Sequence, residues 1–282
     1  MAVKIVTDTG CDLPSSYIQQ YDITLVPLIL RFGDRDVPDT PEARPELWQR
    51  VEARLPCDTS GPPIGAYEAV YGPLVEAGHD VVCIALTSAH SVTYSSAWAA
   101  AQAFPGKVTV IDSKSLSVGY GLQVLAAARA AAAGADVATI VDIVADVQRR
   151  CHLFFFLEQL EQVKRGGRLD SLMPILARLG TALNVRAILT INEEGRITLV
   201  GPARGRRGAI KRLAQEAAAA APVEALAVGH VRCGEEANGL ADDLAATLSF
   251  PRDEIMVFEI GAVLIAHAGA GTLGVVALSR GG

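Results

Sequence analysis

The sequence predicts an α/β protein of two domains, on three observations. In the first half, apolar strand-like runs alternate with helical patterns, which argues for a mainly parallel sheet covered by helices on both faces. In the second half, two β-rich runs flank Asn192-Glu193-Glu194-Gly195, a turn with glycine at its end, which adds a hairpin and hence a mixed sheet. The chain has 282 residues, long for one compact core and comfortable for two.

Taken in order, Val3–Thr7 is a short apolar strand, and residues 13–21 read as a helix opened by Pro14. Residues 23–32 are strongly β-like. Residues 46–55 and 64–77 read as helices, the second behind Pro62 and Pro63. Residues 81–86 form a continuous apolar run, the pattern of a strand buried on both faces. A helix over 93–104, a strand over 108–111 and helices over 116–133 and 137–150 complete the first domain, residues 1–152. In the second, residues 153–282, the hairpin strands are 185–191 and 197–200. An Ala-rich helix over 210–221, a strand over 226–231, a helix over 235–248 and strands over 255–259 and 274–278 follow. The apolar stretch 260–278 holds four glycines and His267, too glycine-rich for a spanning helix, and is expected as strand–loop–strand.

Half of the residues are hydrophobic and 20% are charged, a composition that buries a core and excludes disorder. The net charge of −6 argues against a nucleic-acid partner, which would require a basic excess. A local exception is RGRRGAIKR at 204–212, either a solvated helix start or a patch for an anionic group. The five cysteines are widely spaced with no CxxC pair, so neither a disulfide framework nor a metal site is expected, and a cytoplasmic location fits. The opening MAVKIVTDTG lacks the apolar core of a signal peptide.

Polar residues beyond the needs of the fold gather in a few segments. Thr7-Asp8-Thr9-Gly10 follows the first strand, with Asp12 ahead of Pro14. In an open parallel sheet ligands collect at that strand end, although Asp12 also suits a helix cap. Asp58-Thr59-Ser60-Gly61 and Thr87-Ser88-Ala89-His90-Ser91-Val92-Thr93 each bring hydroxyls to the start of a helix. Unpaired N–H groups and the positive end of the helix dipole favour an anion there. The same hydroxyls also serve as plain caps. His267 lies among glycines that let another group approach the backbone closely.

These segments together resemble the DegV family, whose members include the fatty-acid-binding subunits of bacterial fatty acid kinase. IVTDTGCDLP is similar to the family's I-V-T-D-S-T-A-D-L-P, and DTSGPP to its T-S-Q-P-S. LTSAHSVTYSSA resembles S-S-x-L-S-G-T-Y-Q-S-A, VTVIDS resembles V-x-V-I-D-S, and KRGGRL resembles K-G-G-R-I/L. IGAVLIAHAGAGTLGV is similar to I-G-x-V-I-x-x-H-x-G-P-G-A-L-G. The resemblance spans essentially the whole chain and implies the two-domain DegV fold. It implies a long-chain fatty acid between the domains, its carboxylate at Thr59, Ser60, Ser91, the Val92 N–H, Thr93 and His267, and its tail in the second domain. It also implies a dihydroxyacetone-kinase-like fatty acid kinase subunit as partner, met by Arg168 and Arg204. No cofactor, no catalytic residue and no membrane span are expected, with transient contact with a membrane surface left open. The sequence departs from the pattern at Gly61, in place of Gln, at Val92, in place of Gly, and at Ala270, in place of Pro.

The residue types suit such a ligand. Burying fourteen methylenes contributes about 11 kcal/mol gross, at about 0.8 each, before ordering costs are subtracted. A buried carboxylate needs hydrogen bonds, and hydroxyls with backbone N–H groups supply them without a fixed charge that would oppose release. Arginine is suited to meet an arriving phosphate. Three other readings remain at this point. A lipid carrier without a kinase partner uses the same residues. A kinase-like enzyme would hold a small carbonyl substrate on His267, without a Walker loop. A serine hydrolase would use Ser91 with His267, without a G-x-S-x-G elbow.

Overall fold

The structure is a computed structural model that describes residues 2–53, 55, 57–158 and 184–281. The chain divides into two compact units: Met1–Arg149 with Gly261–Val263, and Arg150–Ile260 with Leu264–Gly282. The sequence reading did not foresee the return of 261–263 to the first unit.

The strands of the first unit are β1 (Val3–Asp8), β2 (Thr24–Val26), β3 (Ile29–Phe32), β4 (Arg35–Pro38), β5 (Asp58–Ser60), β6 (Asp80–Ala85) and β7 (Val108–Asp112). Its helices are α1 (Ser15–Gln20), α2 (Arg44–Glu52), α3 (Ile64–Glu76), α4 (Thr93–Ala101), α5 (Val118–Ala132) and α6 (Val137–Arg150). One sheet, ordered β2-β1-β6-β7, is parallel throughout. Val6, Val81 and Cys83 pack on one of its faces with Tyr67 and Tyr71 of α3 and Ala97, Ala100 and Ala101 of α4. The alternate residues Ile5, Val82 and Ile84 point to the other face and are equally buried. Burial on both faces is why β6 reads as an unbroken apolar run.

The run over 23–32, expected as one strand, is two. Pro27 has no N–H to give to a ladder. The residues before it join the parallel sheet as β2, and those after it form β3, the centre of a small antiparallel sheet ordered β4-β3-β5. The segment carrying Thr59 and Ser60, expected as a loop, is thereby strand β5, with Thr59 opposite Leu30 and Ser60 opposite Ile29.

In the second unit lie β8 (Cys151–Phe156), β9 (Val185–Ile191), β10 (Ile197–Arg204), β11 (Val223–His230), β12 (Met256–Glu259) and β13 (Leu273–Ser279). They form a mixed sheet ordered β10-β9-β8-β13-β11-β12, in which the β11–β12 pairing is parallel and the others antiparallel. Helices α7 (Gly205–Ala219) and α8 (Gly234–Leu248) pack one face, burying Leu213, Leu240 and Leu244 against Phe156, Ile188, Val228 and Val275. Strand alternation sends Phe155, Leu157, Ala187, Leu189, Ile197 and Leu199 to the other face, where they form a second apolar cluster. The expected turn at 192–195 is present. Gly195 N donates to Asn192 O at 2.9 Å, and the Asn192 side chain accepts from Arg196 N at 2.8 Å.

The stretch 260–278 corrects the strand–loop–strand expectation. Its first part is a helix, α9 (Ala262–Ala268), and its last part is β13. The start of α9 is held by carboxylates far away in the sequence. Asp12 accepts from Gly261 N at 3.0 Å, and Asp39 accepts from Val263 N. Strand β8 was not expected either, because it follows α6 with no turn residue between Arg150 and Cys151.

Candidate functional site

Two hydroxyl-bearing segments meet in the first unit. Ser91 and Thr93 flank Val92 where the chain enters α4. Their hydroxyl oxygens lie 2.7 Å apart, and Thr93 N donates to Ser91 Oγ at 3.2 Å. Thr93 is buried and Ser91 is half-buried. Against this turn lies the backbone that leaves β5. A Cβ on Gly61 would stand 2.9 Å from Val92 Cγ2, 3.2 Å from Thr93 N and 3.3 Å from Thr93 Oγ1. The structure therefore brings the Thr59-Ser60-Gly61 segment to the Ser91-Val92-Thr93 turn. Ser60 Oγ donates to Gly61 O at 3.3 Å, a long local bond. The first turn of α4 adds backbone N–H groups with no acceptor inside the helix. Uncharged donors at the positive end of a helix can hold a carboxylate. Both hydrogen-bond partners of the Ser91 hydroxyl among the described residues are on Thr93. Neither of these partners is a general base for the Ser91 hydroxyl.

The polar residues after β1 do structural work. Asp8 is fully buried and accepts from Tyr120 O–H at 2.6 Å, Gly10 N at 3.0 Å and Leu86 N at 2.9 Å, tying the ends of β1 and β6 to α5. Burial pushes its carboxyl up to about 6, against the pull of those bonds. Asp12 does not cap α1, as the sequence suggested. It takes a left-handed backbone conformation and points its carboxylate at the Ser117 hydroxyl and Gly261 N. Burial pushes Asp12 up to about 7. Asp39 accepts from Thr9 O–H at 2.8 Å, and it too is raised by burial. Sequence reasoning did not single out Asp39. No local signal marks it, because its partners come from β1's exit loop and from the start of α9.

His267 stands in the last turn of α9, half-buried. The next residue, Ala268, packs on the apolar sheet face formed by Phe155, Leu157, Ala187, Leu189, Ile197 and Leu199. Helix α9 ends where Gly269 and Gly271 turn to positive φ and Thr272 O–H donates to Ala268 O at 2.8 Å.

The basic run at 204–212 divides in two. Arg204 closes β10 and is exposed, as is Arg207 in the first turn of α7. Arg206 is occupied. It grips Glu236 through two bonds of 2.7 and 2.6 Å, and also reaches Glu158 at 2.8 Å and Gly271 O at 2.7 Å. Its guanidinium lies 5.3 Å over the Phe156 ring. Arg186 also pairs with Glu158. Burial raises the Glu158 carboxyl, and the two guanidiniums outweigh it and hold Glu158 below the usual range. Arg206 is thus paired within the second unit, and of the arginines at 204, 206 and 207 only Arg204 and Arg207 are exposed. Arg168 lies outside the described residues.

Among the described residues, no group of three or more His, Cys, Asp or Glu is placed to hold a metal ion, and no helix is long and apolar enough to cross a membrane.

Comparison with known proteins places these features in a family. The model described as "Uncharacterised protein, DegV family" matches residues 2–280. A DegV domain-containing protein of Streptomyces coelicolor is 35% identical over 283 residues, covering 99% of both chains. Among solved structures, a DegV family protein from Thermus thermophilus, described with fatty acid binding, matches at TM-score 0.89 and 31% identity, covering 99% of this chain and 100% of that one. A stearic-acid-binding protein from Eubacterium ventriosum matches at TM-score 0.86 and 25% identity, covering 98% of each chain. The two-domain α/β fold expected from the sequence is the fold of these proteins.

Proposed function

Because this chain belongs to the DegV family, we propose that it binds a long-chain fatty acid and presents the carboxylate to a partner kinase for acyl-phosphate formation. The observation that carries the binding is the hydroxyl pair of Ser91 and Thr93 with the Thr59-Ser60-Gly61 segment laid against it. These are donors without charge at the start of a helix. They stabilise a carboxylate and leave it nucleophilic enough to take a phosphoryl group. The lining proposed for the acyl chain is the apolar sheet face of Phe155, Leu157, Ala187, Leu189, Ile197 and Leu199 in the second unit, on which Ala268, the residue after His267, packs. Relatives of the same fold that bind fatty acids support this reading.

In the kinase reaction the ATP γ-phosphoryl group moves to a carboxylate oxygen, giving acyl phosphate and ADP. The chain contributes no catalytic residue to that transfer and acts as the acceptor's carrier. Arg204, exposed at the end of β10, and Arg168 are the residues proposed to meet the kinase or the phosphate. A carrier without a kinase partner is the second reading. It is favoured by the engagement of Arg206 with Glu158 and Glu236, which removes a cation from the patch.

Denaturing extraction of the purified chain followed by mass spectrometry tests the binding. About one long-chain fatty acid per chain is the expected result. Preparations that carry no lipid and also fail to take up added palmitate or oleate would overturn it.

A further inference from the structure

Gly61 and Val92 fit each other. The position a Cβ would take on Gly61 is 2.9 Å from Val92 Cγ2, closer than side-chain carbons approach, and 3.2 Å from the Thr93 backbone nitrogen. No side chain at position 61 coexists with Val92 where it stands. Val92 is nonetheless 59% exposed. Its isopropyl group has one side against the Gly61 backbone and the other open, between two residues whose hydroxyl oxygens are 2.7 Å apart. A lone exposed valine needs no explanation by itself. A valine whose partner must lack a side chain to receive it, within the turn that offers the anion its donors, is a shaped element. Valine is stiff about χ1, and the contact with Gly61 holds its methyl groups at the rim.

We propose that Gly61 and Val92 are a matched pair that sets which carboxylates the notch accepts, admitting acids unbranched next to the carboxyl group and refusing those branched there. This rests on the fatty-acid reading above. A carboxylate seated on the Ser91 and Thr93 hydroxyls brings its neighbouring carbon within van der Waals reach of the Val92 methyls. A methylene fits beside them, whereas an added methyl group on that carbon must displace the valine, which Gly61 backs closely. A single misplaced methyl in a fixed apolar site changes affinity by about 10- to 200-fold. The glycine is the permissive half of the pair and the valine is the selective half.

The test is titration calorimetry of the full chain, delipidated, with hexadecanoate and 2-methylhexadecanoate, for the parent, Val92→Ala, Gly61→Ala and the double variant. The parent should prefer the straight acid by about 10-fold or more, and Val92→Ala should reduce that preference to within about 3-fold. Gly61→Ala should weaken hexadecanoate by about 10-fold in the parent and by a smaller factor in the Val92→Ala background, because removing Val92 Cγ2 relieves the 2.9 Å approach and leaves only those of 3.2 and 3.3 Å to Thr93. Equal affinity of the parent for both acids, or an unchanged preference in Val92→Ala, overturns the pairing while leaving fatty acid binding intact. A parent that binds neither acid overturns the fatty-acid reading and the pairing with it. Val92→Ala creates no clash, so it decides the matter even if Gly61→Ala does not fold.

Discussion

The Asp12 carboxylate accepts the backbone N–H of Gly261 at 3.0 Å, joining positions 249 residues apart. The second carboxylate oxygen of Asp12 accepts from Ser117, and Asp39 accepts from Val263 N. Two acids from the first part of the chain, Asp39 buried and Asp12 half-buried, thus hold the start of the helix that ends in His267. Gly261 has no room for a side chain, since a Cβ there would lie 2.4 Å from Asp12 Oδ1. Gly261→Ala should lower stability by about 1–3 kcal/mol, the usual cost of overpacking, measured by urea unfolding. An unchanged midpoint would show that the helix start is not held as described.

The same carboxylate makes stability depend on pH with a defined sign. Asp12 sits at about 7 in the folded chain, above its ordinary 3.8, and Asp8 sits at about 6 for the same reason, burial. The folded state therefore keeps protons that the unfolded state releases. Their contribution is fully present below about pH 4 and is lost as pH rises toward 7. For Asp12 the loss is up to about 4 kcal/mol at about 1.4 per pH unit. Asp12→Asn, a neutral match for the protonated acid, should flatten the fall in stability between pH 4 and 7 relative to the parent. Parallel pH–stability curves for the two proteins would contradict this.

Arg206 and Arg204 should separate cleanly. Arg206→Ala takes the guanidinium from Glu236 and leaves Glu158 with Arg186 alone. With the groups only partly buried, the expected cost is about 1–3 kcal/mol of stability. Arg204→Ala, at an exposed strand end, should stay within about 0.5 kcal/mol. Denaturant melts of both variants check the contrast, and equal effects would refute it.

Much of this architecture is visible in the sequence. The alternation of β1, β6 and β7 with helices, and the hairpin around Asn192, follow from apolar periodicity and turn chemistry that act locally. Ser91, Thr93 and Thr59 were legible as hydroxyls ahead of helices, and the family resemblance gave them a role. What was hidden depends on distant partners. Helix α9 reads as a strand because its short apolar sequence, flanked by glycines, carries no cap of its own, and its caps are Asp12 and Asp39. Strand β5 reads as a loop because three residues suffice when Ile29 and Leu30 are there to pair with them. The pairing of Arg206 with Glu158 and Glu236 spans 48 and 30 residues, so no local pattern separates it from exposed Arg204.

Kinase presentation predicts a division between binding and turnover. Arg168→Ala and Arg204→Ala should leave fatty acid affinity within about 0.5 kcal/mol of the parent. The same variants should lose acyl-phosphate formation with a compatible kinase subunit and ATP, since the transferring phosphoryl group needs positive charge nearby. Hydroxylamine trapping of the acyl phosphate measures this. Parent-level turnover in both variants, and in Arg204→Ala combined with Arg207→Ala, would leave the carrier without a kinase as the better reading.

Carboxylate recognition by the hydroxyl turn is decided by titrating hexadecanoate and hexadecanol into the parent and Ser91→Ala, with Thr59→Ala as a second variant. Removing one donor from a buried anion costs about 1–3 kcal/mol. Hexadecanoate should therefore bind Ser91→Ala roughly tenfold to a hundredfold more weakly than the parent, while hexadecanol changes little. Equal losses for the acid and the alcohol, or no loss for the acid, would mean that Ser91 does not hold the carboxylate.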